Sequence, residues 1–235
     1  MPKQMTQEEK LRYMTETPLT PLILKLALPT IISMLITSFY NMADTYFVGL
    51  IGSASASGAV GVVFPLMSIM QAVGFMFGHG SGNYISRSLG AGDVTEADRM
   101  AATGFFSAFL AGAVIMLAGL IAPETLVYLL GATPTIAPYA SQYVLYLMIG
   151  APFLVSSLVL NNQLRFQGSA FYAMVGITSG AVLNVALDPI FIFVLDMGVG
   201  GAALATSISQ MVGFAVLLAG TRKGGNIRIR FRNFA

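Results

Sequence analysis

An all-α membrane protein with six spanning helices is the fold class this sequence predicts, on three observations. Hydrophobic residues fill 56% of the 235 positions and charged residues only 9%, where soluble domains carry about 25% charged residues. Apolar runs of about 20 residues recur along the chain, the length at which an α-helix rising about 1.5 Å per residue crosses the hydrocarbon core of a bilayer. Lys and Arg occur in every second connection and not in the others, as expected of loops that alternate across a membrane.

Residues 1–21 are polar and mixed in charge and read as a cytoplasmic segment; the apolar run after them is too long for the core of a cleavable signal peptide. The spanning lobe covers residues 22–220. Span one, Leu22 to Phe47, has a single charge, Lys25, before Tyr40, and holds Pro29 about two turns in. Span two, Ala59 to Gly82, contains Pro65 and the glycines 61, 74, 78, 80 and 82, small residues that let helix backbones approach closely in lipid. Gly78-His79-Gly80-Ser81-Gly82 lacks the preceding strand and following Lys-Ser/Thr of a phosphate loop, so packing accounts for it better than nucleotide binding. Span three runs from Met100 to Ile121. Span four, Thr135 to Leu164, is longer than a bilayer requires and should bend or tilt at Pro152. Spans five and six are Ser169 to Leu195 and Gly201 to Gly220, and residues 221–235 form a basic tail.

The charges test this division. Lys3, Lys10, Arg12 and Lys25 flank the start, Arg87 and Arg99 lie between spans two and three, Arg165 between four and five, and Arg222, Lys223, Arg228, Arg230 and Arg232 after six. The opposite loops, near 51–57, 122–134 and 196–200, contain neither Lys nor Arg. A wrong helix count would break this alternation, so both termini are expected in the cytoplasm and the protein in the plasma membrane. With no cysteine in the chain, disulfides and thiolate metal sites are ruled out.

Two of the ten acidic residues stand inside apolar runs: Asp44, in Tyr40-Asn41-Met42-Ala43-Asp44, and Asp188, in Asn184-Val185-Ala186-Leu187-Asp188-Pro189. A carboxylate costs about 2.5–3.5 kcal/mol at the centre of a bilayer, so both are expected to face protein. Asp44 lies 22 positions beyond Leu22 and Asp188 lies 19 beyond Ser169, placing both about 30 Å along parallel helices. Asn184 shares a helix face with Asp188, and Tyr40 and Asn41 share one with Asp44. With no Lys or Arg expected within the spans beyond Lys25 near the start of span one, protonation or a bound Na⁺ would neutralise such a pair; oxygen ligands suit a hard cation. The other acids, Glu8, Glu9, Glu16, Asp93, Glu96, Asp98, Glu124 and Asp196, read as solvated charges of tails and loops. Polar residues within spans include Asn161, Asn162, Gln163, Thr206, Ser207, Ser209 and Gln210.

The chain resembles the multidrug and toxic compound extrusion (MATE) family of cation-coupled efflux transporters. The resemblance is carried by Leu28-Pro29, Tyr40-Asn41-Met42-Ala43-Asp44 with Val48-Gly49, Gly80-Ser81-Gly82 with Ile85-Ser86-Arg87, Leu89-Gly90-Ala91-Gly92-Asp93, Leu130-Gly131-Ala132-Thr133-Pro134, and Leu183-Asn184 with Leu187-Asp188-Pro189. It implies a six-helix N-terminal lobe with a cation site at Asp44, Asn184, Asp188 and Thr206, and a substrate cavity bordered by Tyr40, Asn41 and Asn161. It further implies export of mostly cationic, aromatic drugs by alternating access in exchange for H⁺ or Na⁺, with no other cofactor. Members have twelve helices in two lobes, so the missing half would be a second lobe or a second copy, and the basic tail would be the inter-lobe linker. Two other readings compete: an oligomeric channel-like subunit, distinguished by passive ion current, and half of a lipid flippase, disfavoured by the expected lack of an intramembrane base. A membrane enzyme is not expected, because no nucleophile with a base or metal cluster is visible, and nothing in the chain suggests nucleic-acid binding.

Overall fold

The structure, a computed structural model, describes residues 16–225 and 227–234. Most of the N-terminal segment, with Lys3, Glu8, Glu9, Lys10 and Arg12, lies outside the described residues.

Among the described residues, seven α-helices follow one another: α1 Leu19–Gly49, α2 Ala54–Gly90, α3 Val94–Ile121, the short α4 Pro123–Leu129, α5 Ala137–Phe166, α6 Ala170–Pro189 and α7 Gly198–Gly224. A π-helical turn, Ile190–Val194, continues α6, and a 3₁₀ turn, Phe231–Asn233, follows α7. Six of these helices are long and apolar enough to cross a membrane, making this a multi-pass membrane protein.

The helices outrun the expected spans where apolar sequence gives way to charge. α2 continues to Gly90, closes on Gly92 in the left-handed region at φ 80°, and hands the chain to α3 through hydrogen bonds from Gly92 N to Leu89 O (3.1 Å) and Asp93 N to Ser88 O (2.9 Å). This is a glycine-dependent helix stop. Asp93 then caps α3, its carboxylate accepting from Glu96 N at 3.0 Å. Glu96, Asp98 and Arg99 therefore stand on a helix, not in the loop the sequence suggested. Glu124 likewise lies on α4, where Pro123 at the first position starts a helix within the expected 122–134 loop.

α5 is the central helix, packed on α2, α3 and α7. Close approach is possible because its neighbours are small where they meet it. A Cβ added to Gly112 would lie 2.7 Å from Pro152 Cα, and one added to Gly74 would lie 2.9 Å from Leu158 Cβ. One buried amide of α5 finds partners across these contacts: Gln163 Nε2 donates to Ser81 Oγ (3.0 Å) and to Ala101 O (3.2 Å). The segment after α7 folds back on the α2–α3 hairpin. Arg228 N donates to Asp98 Oδ1 at 2.7 Å, and Phe231 packs edge-on against Phe106 with centroids 5.2 Å apart.

α1 sits at the periphery. It packs chiefly on α6, and only Leu22, Ser33 and Val48 of its side chains are buried. Thr30, Thr37, Ser38 and Thr45 each donate to the carbonyl four residues earlier. Such back-bonding bends helices, and Pro29 removes a further backbone bond. α1 is thus lightly held and built with flexure points, and it carries Asp44.

Candidate functional site

The site forms where α1, α6 and α7 meet. Glycines set the α6–α7 distance: a Cβ on Gly180 would lie 3.0 Å from Ser209 O, and one on Gly201 2.6 Å from Phe191 O. This pulls the end of α6, with Asn184 and Asp188, against the middle of α7. Asn184 Nδ2 donates to Asp188 Oδ1 and to Thr206 Oγ1, each at 3.3 Å. All three residues are buried, Asp188 completely. Asp44, partly buried on α1, lies close enough to Asp188 for their charges to interact.

Of the expected residues, Asn184, Asp188 and Thr206 are therefore in direct contact, with Asp44 within electrostatic reach of Asp188. One oxygen each of Asp44, Asp188 and Asn184 is buried without a hydrogen-bond donor. Buried acceptors left this way are costly. A proton on one carboxylate, or a hard cation among the oxygens, would satisfy them, and the donor set fits both.

Sequence reasoning missed Tyr143, a fully buried α5 residue within electrostatic reach of Asp44, Asp188 and Tyr40. Among the aromatic residues of span four it reads as core, and only the packing of α5 against the acids distinguishes it.

A cavity of about 490 Å³ opens alongside. Tyr40, Asn41 and Asn161 line it, together with Asn184 and Thr206, whereas among the described residues neither carboxylate forms part of its wall. The amides and the hydroxyl thus stand between the cavity and the acids. Asn161 also ties α5 to α6 through Nδ2 donating to Ala173 O at 2.9 Å.

One expectation is overturned. Arg165 is not in a loop but in the last turn of α5, and it lines the cavity, where its guanidinium Nη2 donates to Ser33 Oγ at 3.0 Å. The helix runs two residues past the expected end of span four, so the lobe does present a base beside its cavity.

The shared amide predicts a graded effect. Thr206→Val removes one acceptor of Asn184 while preserving shape, and should weaken ion dependence about fivefold, the equivalent of about 1 kcal/mol for one hydrogen bond; Thr206→Ser should restore it. Titrating ion-dependent binding of a cationic dye checks both variants.

Residues 29–190 match the MatE family model. The chain is 30% identical over 206 residues to the multidrug export protein MepA of Staphylococcus saprophyticus, covering 88% of this chain and 46% of that protein, so it spans about half the length of the curated relatives it matches. Among solved structures it is similar to a MATE crystal structure in the straight conformation (TM-score 0.88, 31% identity, 99% of this chain and 51% of that one). It is also similar to a MATE crystal structure in the bent conformation (TM-score 0.84, 31% identity, with the same coverage). A match across most of the six-helix bundle, with both Asp44 and Asp188 inside it, makes this chain a member of the MatE family of multidrug export transporters.

Proposed function

We propose that this chain is the N-terminal lobe of a cation-coupled multidrug antiporter of the plasma membrane, with both termini cytoplasmic. The observation that carries the reading is the Asn184 bridge between Asp188 and Thr206, beside Asp44 and three buried oxygens lacking donors. H⁺ or Na⁺ entering this set neutralises the acids and links α1 to α6. Because α1 is lightly packed and carries its own flexure points, ion binding and release shift it relative to the rest of the lobe. That shift reshapes the cavity wall at Tyr40 and Asn41, which belong to the same helix. Cation exchange is thereby coupled to the affinity and access of a substrate, as alternating access requires. Cationic, aromatic xenobiotics are the proposed substrates. The lobe works against a complementary six-helix lobe, with the basic segment after α7 as the connection toward it.

The test is gradient-driven movement of a cationic aromatic dye in vesicles holding this lobe and a complementary lobe. Export that follows an imposed H⁺ or Na⁺ gradient supports coupling, and dye movement indifferent to both gradients contradicts it.

A further inference from the structure

Arg165 is the feature the ion site does not use. Its guanidinium is half-buried at the end of α5, on the wall of the cavity. Nη2 donates to the Ser33 hydroxyl at 3.0 Å, while Nε is buried without an acceptor. Among the described residues no carboxylate pairs with it, and its hydrogen-bond partner is the Ser33 hydroxyl. A guanidinium cannot shed its charge as a lysine can. Withdrawing such a charge from water without a counter-ion is unfavourable, and buried charges in proteins are ordinarily paired.

The rest of the wall indicates what completes the pairing. Met34, Phe75, Leu154, Leu158 and Leu217 give the cavity an apolar lining between Arg165 and the polar group of Asn184 and Thr206. The cavity therefore combines an apolar body with a fixed positive charge at one side, and the planar guanidinium fork matches the paired oxygens of carboxylate, sulfonate and phosphate.

We propose that this cavity contains an anion subsite at Arg165 and takes an amphiphile with an apolar body and a single anionic head group. The head group occupies the part of the guanidinium that its bond to Ser33 leaves free. The subsite goes beyond the antiport reading and needs no ion coupling, since it depends only on the cavity wall. The same chemistry is offered by the phosphate of a membrane lipid and by a soluble anionic amphiphile.

The matched probes are dansyl-aminoundecanoate and its uncharged methyl ester, bound to the purified full chain in neutral detergent at fixed pH without Na⁺, so that a failure of ion coupling leaves the measurement untouched. The wild-type protein is expected to prefer the acid about tenfold or more. Arg165→Met, which keeps an unbranched apolar side chain, should bring the acid down to the affinity of the ester while leaving ester binding within about twofold, and Arg165→Lys should retain part of the preference. Retained ester binding reports an intact cavity. Ser33→Ala removes the tie to α1 but not the charge, and should keep the preference. Equal binding of acid and ester by the wild type would overturn the proposal, as would a preference that survives Arg165→Met. So would a loss in Ser33→Ala as large as in Arg165→Met, because Arg165 would then be only a structural tie. In nanodiscs, displacement of the acid by phosphatidylglycerol but not phosphatidylcholine assigns the subsite to a lipid head group; persistence of the acid in both assigns it to a soluble amphiphile.

Discussion

Replacing Asp188 by Asn is expected to abolish ion-dependent drug efflux when this lobe operates beside a complementary lobe. The substitution keeps the size of the side chain and one oxygen able to accept from Asn184 Nδ2, so the bundle should assemble normally. What it removes is the charge that a proton or Na⁺ neutralises. Loss of an outer partner of a bound ion already costs about 10- to 100-fold in affinity, and Asp188, fully buried and bridged through Asn184 to Thr206, would be a direct ligand. Efflux measured with and without an imposed H⁺ or Na⁺ gradient should therefore become gradient-independent and fall to background. Unchanged efflux with unchanged ion dependence would remove Asp188 from the coupling site. Asp44→Asn should act in the same direction but less completely, since that carboxylate is only partly buried.

The second large effect is structural. Gly112→Ala introduces a methyl group 2.7 Å from Pro152 Cα and 3.1 Å from Ala151 O. Both are backbone atoms of the central helix and cannot swing away. Alanine gains about 1 kcal/mol over glycine in helix propensity, but overpacking costs about 1–3 kcal/mol and more where nothing can yield. The balance is loss of stability, with α3 pushed off α5. Gly61→Ala, where the added Cβ meets nothing within 4 Å, should be neutral or slightly stabilising. Thermal unfolding of the two variants in one detergent checks the contrast: a lowered midpoint for Gly112→Ala and none for Gly61→Ala.

The fold was largely legible in the sequence because a bilayer imposes a strict length on apolar runs and the basic residues fall into alternate connections. Helix ends were less legible. Hydropathy marks where lipid ends, whereas a helix stops only at a capping signal, so α2 ran on to the Gly92 turn and α3 began at the Asp93 cap. The π turn after Pro189 leaves no periodic signature in five apolar residues. Of the candidate site, the helix-local part was readable: Asn184 and Asp188, four residues apart, do share a face and a hydrogen bond. Thr206 came from family resemblance, and its bond to Asn184 spans two helices. Tyr143 escaped because nothing near it in sequence points to the acids, and Arg165, four residues after the cavity residue Asn161, escaped because hydropathy ends span four at Leu164 while the helix runs on to Phe166.

The acids also explain why a peripheral helix matters. α1 contributes little to the core, yet it supplies Asp44, Tyr40 and Asn41 to the site and cavity. A helix that is weakly held and carries its own flexure points is poorly suited to structural support and well suited to moving when the charge beside it changes.

The most direct measurement exploits the absence of cysteine from the chain. Asp44→Cys and Asp188→Cys are made singly and together, and Cd²⁺ binding is followed by its ultraviolet thiolate absorbance. If the two positions share one ion site, the double variant should bind Cd²⁺ through two thiolates, far more tightly than either single variant. A double variant that behaves as the sum of the two singles would show that the positions do not meet, and would contradict the account.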